Sequence, residues 1–296
     1  MLKQHVRARA KNKWEAFDVI VFIFLTFFAV LIFYPFYNAL LTSIVSVKQY
    51  VNNPVMLIPP EIMLDNYRFL LSKPIIYSGY ANTLYITIVG TIYSMLLTVM
   101  MAYGFSRRTF PGKRVLFSLV LFTMFFSGGM VPFYLQLRSL KLLNKLSTII
   151  LMNGVSVYNV IVIKSSFEQI PESIEEAAHI DGANDLVIFA RIMLPLSMPI
   201  LATFTLFISV AHWNHWFWPM LILNDSNQYP LQVVLRSIVY ESTSDTEIIN
   251  SAYAATSFAQ GVKMAAVMVT MLPVMAIYPF VQKYFVKGIL VGAIKM

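Results

Sequence analysis

Cysteine is missing from this chain altogether, which rules out disulfides, thiolate metal sites and cysteine nucleophiles. Charge is also scarce. Only 12% of residues are charged, against roughly 25% in an ordinary soluble domain, and 14 of the 296 are acidic. No Gly-x-x-x-x-Gly-Lys-Ser/Thr loop occurs. Gly112-Lys113 lacks the upstream glycine and the following hydroxyl, so the chain has no P-loop for ATP. The HExxH zinc pattern is absent, and the four histidines (His5, His179, His212, His215) are too scattered to argue for a metal. His212 and His215, three apart, share a helical face and are read first as packing or hydrogen-bonding residues.

What is abundant is apolar. Hydrophobic residues make up 58% and the mean hydropathy is +0.69, the composition of a multi-pass membrane protein. A transmembrane helix needs about 20 mostly apolar residues, and six segments qualify, at roughly 17–41, 80–103, 115–135, 146–163, 196–223 and 264–282. The expected fold is therefore all-α, with six membrane-spanning helices. The third segment is interrupted by Ser127-Gly128-Gly129 and Pro132, and Pro35, Pro273 and Pro279 mark expected kinks in the first and sixth. The first segment is too long for a cleaved signal and no small-residue cleavage site follows it.

The net charge of +8 would point to nucleic acid in a soluble protein. Here the basic residues sit beside apolar segments. Lys3, Arg7, Arg9, Lys11 and Lys13 lie in the tail 1–16, Arg107, Arg108, Lys113 and Arg114 between the second and third segments, and Lys283, Lys287 and Lys295 at the end. With alternating spans these regions share one face, and basic residues mark the cytoplasmic face. Both termini are expected inside, as is the polar loop 168–194 within the six-helix domain 17–296. The opposite face carries the loops 46–79, 136–145 and 224–263. The first holds Pro54, Pro59, Pro60 and Pro74, the composition of an ordered lid, and the last is long and polar. The spans contain essentially no interior Asp or Glu, with Asp18 at an edge. That argues against proton-coupled carriers, which hold ionisable groups at membrane depth.

The loop beginning Pro171-Glu172-Ser173-Ile174-Glu175-Glu176-Ala177-Ala178-His179-Ile180-Asp181-Gly182-Ala183-Asn184-Asp185 contains five of the 14 acidic residues. Ser173 and Glu176 fit a capping box, and acidic residues suit a helix N-terminus. Gly182 supplies a left-handed position that ends the helix. A second helix is expected over 184–193, with Pro195 opening the fifth span. Small residues on the first helix allow close approach of a partner backbone.

Glu176-Ala177-Ala178, then Gly182, then Ile192 and Leu194-Pro195 carry the spacing of the EAA motif, and the chain resembles the permease subunits of binding-protein-dependent ABC importers. The phrase 175–183, the turn Phe110-Pro111-Gly112, His212-Trp213-Asn214 with Pro219, and the closing 282–295 resemble the carbohydrate-uptake, maltose-transporter-type branch. The resemblance covers nearly the whole chain. It implies a type I importer permease fold in which 168–194 is a cytoplasmic coupling loop. Glu175, Glu176, Ala177, Ala178, Asp181, Gly182 and Ala183 would then meet the ATPase. It also implies a second, different permease chain, two ATP-binding subunits carrying ATP and Mg, and an extracytoplasmic solute-binding protein. No cofactor is expected on this chain, and no bond chemistry.

Polar residues inside spans are costly and so informative. Asn82, Asn153, Ser156, Asn159, His212, Trp213, Asn214 and Trp216 are candidates for a sugar path, amides for hydroxyls and aromatic faces for the apolar side of a ring. Two bland alternatives stand beside them: an interfacial aromatic belt for Trp213, Trp216 and Trp218, and an interhelical hydrogen bond for Asn82. The competing class for the whole chain is an ion- or proton-driven carrier or a membrane scaffold.

Overall fold

The structure, a computed structural model, describes residues 16–53, 56–107, 110–244 and 259–293, the side chains of 240–244 and 277–293 excepted. The basic tail 1–15, Pro54, Arg108 and Lys295 lie outside the described residues, as do the side chains of Lys283 and Lys287.

Every apolar segment is helical, and among the described residues there is no strand. Helix α1 (Ala16–Ser43) is followed by two short helices, α2 (Val47–Asn52) and α3 (Asp65–Leu71), where a lid was expected. Ser46 and Gln49 close a reciprocal cap on α2. The long helix α4 (Pro74–Ser106) has 33 residues, about 50 Å at 1.5 Å per residue. Then come α5 (Lys113–Phe125), α6 (Met130–Ser139), α7 (Leu146–Met152) and α8 (Val157–Glu168). The polar loop forms α9 (Glu172–Ile180) and α10 (Asp185–Ile188), a π-helical turn (Phe189–Met193) and α11 (Leu194–Leu196). The chain closes with α12 (Met198–Trp213), α13 (Phe217–Ile222), α14 (Leu231–Ser244) and α15 (Ala259–Ala293).

Among the described residues α1, α4 and the 259–276 part of α15 are long and apolar enough to cross a bilayer unbroken. The other three expected spans are bent pairs. The α5–α6 pair turns by 113°, α7–α8 by 51°, and 185–196 against 198–222 by 80°. The third segment is thus not one rod. Gly129 at φ +85° takes a backbone conformation open to glycine alone at little cost, and the chain turns there. Pro195 does not open the fifth span. It sits in α11, and α12 begins only after Ser197.

Helix α4 is the spine, with α8, α12 and α14 packed along it. It contributes to three buried clusters: Val99, Ala102 and Phe105 with Val160, Ile163, Phe167 and Met193 at one end, Ile86 with Ile149 and Ile222, and Ile76 with Val234 and Val262 at the other end. Thr83 accepts from the Leu231 amide at 2.7 Å, and the Tyr80 hydroxyl donates to the Val269 carbonyl. From Phe17 to Phe36 the large apolar side chains of α1 are exposed, as they are for a helix whose solvent is lipid, and only near its end is Leu41 buried.

Gly90 marks a close approach in the bundle, where a Cβ would stand 2.8 Å from the imidazole of His212. Gly104, on the same helix, has open space. Gly90→Ala is expected to cost roughly 1–3 kcal/mol through overpacking and to lower the unfolding midpoint of the detergent-purified protein. Gly104→Ala should be neutral or stabilising in the same thermal scan.

Candidate functional site

The polar loop is built as two short helices about one left-handed residue. Helix α9 starts at Glu172 with Pro171 at its N-cap and no side-chain cap, so the Ser173–Glu176 capping box does not form. Pro171, at φ −57° and ψ 132°, already turns the chain into the helix, and its carbonyl accepts from the Ile174 amide at 3.1 Å. Ser173 therefore falls inside the first turn.

At the far end Gly182 has φ +82°. Its amide donates to the His179 carbonyl at 3.0 Å and the Ala183 amide to the Ala178 carbonyl at 2.9 Å, the pair of bonds of a Schellman closure. Space around Gly182 is open, so φ alone requires glycine. Asn184 caps α10, its oxygen accepting from the Val187 amide at 2.9 Å. The second helix is α-helical only to Ile188. Leu194 then donates five residues back, to Phe189, which makes the turn at 189–193 wide.

One face of this loop is fastened to the bundle. Ala178, Ile188 and Met193 are buried with Phe167 of α8 and Ala102 of α4. The Arg107 guanidinium lies over the Tyr103 ring at 4.4 Å and donates to both Glu175 oxygens, Nη2 at 2.8 Å. The Tyr103 hydroxyl donates to the Asp185 carbonyl at 3.1 Å. Nearby, Lys164 and Lys113 both pair with Glu168. Of the expected contact residues, Ala178 and Glu175 thus face this chain's own bundle. Glu176, Ala177, Asp181 and Gly182 are exposed, and Ala183 is partly covered. Two large apolar residues flank the bend in full exposure, Ile180 at 85% and Leu186 at 76%. Leu186 was missed in the sequence, where its one signal is an apolar side chain between Asp185 and a short helix.

A second site is a 210 Å³ cavity between α4, α8, α12 and the breaks beside them. It is lined by Ser94, Thr98, Asn153, Ser156, Asn159, Ile208, Ala211, His212 and His215. It gathers four of the expected path residues, Asn153, Ser156, Asn159 and His212. Ser94 bonds the Asn153 carbonyl at 2.8 Å and lies 3.3 Å from His212 Nε2, while Asn153 lies 3.3 Å from His215 Nδ1.

The other four candidates stand apart. Asn82 donates to the carbonyls of Asn227 (2.7 Å) and Tyr229 (3.2 Å), pinning the connection before α14. Trp213 is buried against Tyr80, which excludes a belt position. Asn214 accepts from Gln232 at 3.3 Å, and Trp216 carries the Arg236 guanidinium 3.4 Å above its ring. Sequence reasoning overlooked Ser94 and Thr98, because hydroxyls in a membrane helix commonly bond their own backbone and carry no signal. The trace they leave is periodic: Thr87, Thr91, Ser94 and Thr98 recur at helical spacing. Among the described residues no group of His, Asp and Glu is placed to hold a metal.

No family profile matches the chain. It is 42% identical, over 96% of its length and 99% of the relative's, to the polygalacturonan/rhamnogalacturonan transport system permease protein YtcP of Bacillus subtilis. It is 37% identical to Protein LplC of the same organism over 95% of each chain. Among solved structures, a bacterial ABC transporter involved in the import of the acidic polysaccharide alginate has a chain that superposes with a TM-score of 0.86. That match has 34% identity and covers 91% of this chain and 96% of the other.

Arg107→Ala removes both the Glu175 partner and the stack on Tyr103, and leaves a mostly buried carboxylate alone, a change that costs about 3–5 kcal/mol for a buried pair. The expected result is faster amide exchange over 172–188, read by hydrogen-exchange mass spectrometry, with 86–99 of α4 unchanged.

Proposed function

This chain belongs to the permease family of carbohydrate ABC importers, and on that footing we propose that it forms half of a translocation path driven through the loop at 172–194. The observation that carries the reading is the Gly182 bend. It holds Ile180, Glu176, Asp181 and Leu186 outward on a base fastened to α4 and α8. A soluble partner with an apolar cleft and basic rim would find anchors and charge on that tip. The partner is an ATP-binding subunit, one of two, with ATP and Mg on those subunits. A second permease completes the path and an extracytoplasmic binding protein delivers the sugar. Both termini and the loop are cytoplasmic. In support of this, Arg107 and Lys113 stand at the loop's end of the bundle, paired with Glu175 and Glu168, and basic residues favour the inner face.

The substrate is an oligosaccharide bearing uronate units. Support comes from the substrates of the 42% identical relative and of the 34% identical solved structure, a pectic polymer and alginate, which share carboxylated rings. At the end away from the loop, Arg138, Lys141 and Lys145 are exposed and offer cations to such a chain.

Glu176→Lys and Gly182→Pro are expected to abolish oligosaccharide uptake while membrane insertion, read by fractionation, stays normal. Uptake at the wild-type rate by either would sink the coupling role. Because the chain has no native thiol, Ile180→Cys should crosslink to a co-purifying ATP-binding subunit with a yield that changes on adding ATP. Ala178, being buried, should not.

A further inference from the structure

Two spans lose their helix beside one cavity. The breaks at 153–156 and 214–216 face each other across the 210 Å³ cavity. From the first break to the loop end, α8 measures about 18 Å, α12 about 24 Å, and Ser94 stands about 18 Å from the end of α4. Against a hydrocarbon layer of about 30 Å the breaks lie inside the membrane. Irregular backbone at that depth is tolerated only when buried in protein or lining water. Here Ser156 and Ala211 are exposed, and Asn159 and His215 half-buried. Amides and hydroxyls at such a mouth do not face lipid; they face the path shared with the second permease.

Donor logic then fixes the cavity's chemistry. The Ser94 hydroxyl gives its one proton to the Asn153 carbonyl, so it accepts from His212, whose Nε2 carries the hydrogen. The Asn153 amide nitrogen donates to the Ile149 carbonyl at 2.8 Å and to His215 Nδ1. That nitrogen of His215 is therefore bare, and its Nε2–H remains as a donor. The Thr98 hydroxyl is wholly buried in the wall and, among the described residues, has no partner. Ser156, Asn159 and His215 together offer both donors and acceptors, Ile208 and Ala211 form an apolar side, and among the described residues no Asp, Glu, Lys or Arg lines the space. The volume is that of about seven waters.

We infer that this cavity is a hydrated subsite that takes the hydroxylated edge of one sugar ring. Its apolar side lies against the ring's C–H face, and carboxylates stay in the wider path. Without a cation it would not repay the desolvation of a carboxylate, whereas mixed donors and acceptors match hydroxyls. The inference rests on the carbohydrate reading above.

The test uses the assembled importer and single thiols. Ser156→Cys and Asn159→Cys should react with a hydrophilic methanethiosulfonate at least about tenfold faster than Leu96→Cys on the exposed apolar face of α4, since the thiolate needs water. Trigalacturonate should slow both without slowing Ile180→Cys. Asn159→Leu should lower trigalacturonate uptake about tenfold, the value of one hydrogen bond, with ATP hydrolysis retained. Thiols no faster than at Leu96 overturn the hydrated cavity. Fast thiols that sugar does not protect, with wild-type uptake normal and Asn159→Leu uptake undiminished, overturn the subsite while the carbohydrate reading stands. A wild-type complex that takes up no trigalacturonate, and whose fast thiols are not protected by it, overturns the uronate reading and the subsite together.

Discussion

In hydrocarbon a peptide N–H or C=O finds no water, so every interruption of a membrane helix must be matched by protein groups or by an aqueous cavity. The chain breaks three of its six apolar segments, and its architecture follows from how each break is satisfied. The interruptions at 153–156 and 214–216 are placed opposite one another, where Asn153, Ser94 and two histidines tie them together. The wide turn at 189–193 is absorbed between Phe167 and Ala102 in the buried cluster at the loop end. Both repairs are made against α4, through Ser94 and Ala102, and α4 itself is unbroken.

This division explains what could be read beforehand. Long apolar runs and the Glu176–Gly182–Pro195 spacing survive in the linear sequence, since a membrane span is a matter of length and a left-handed glycine of a single residue. The path candidates were half legible. Asn153, Asn159 and His212 are conspicuous because amide and imidazole groups are expensive among apolar neighbours. Ser94 and Thr98 are not, because a helix can satisfy a hydroxyl with its own carbonyl. Asn82 and Trp216 looked the same as Asn153 in the sequence, yet the fold sends them to the α14 side, and only tertiary contacts separate the two groups.

The capping box is an instructive miss. Ser173 and Glu176 have the right types at the right spacing, but Pro171 already supplies the turn into the helix, and the start moves upstream. Local pattern chose the correct segment and the wrong register. The burial of Ala178 has a related cause. The small side chains read as room for a partner belong partly to the chain's own packing, and the large apolar side chains left exposed beside the bend are Ile180 and Leu186.

The fastening of the loop by Arg107, Tyr103 and Ala178 has a mechanical consequence. A load applied at the tip meets two linkages of unequal stiffness. Towards α4 and α8 it travels through an ion pair, a ring stack and a close-packed cluster, which act as a clamp. Towards α12 it passes through a π-helical turn, a three-residue helix and an 80° elbow at Ser197, which act as a compliant joint. A load on the tip is therefore carried first by α4 and α8, and it reaches α12 through that helix's packing against α4, where Leu201 and Phe204 share the cluster of Val99 and Phe105, and not through the elbow.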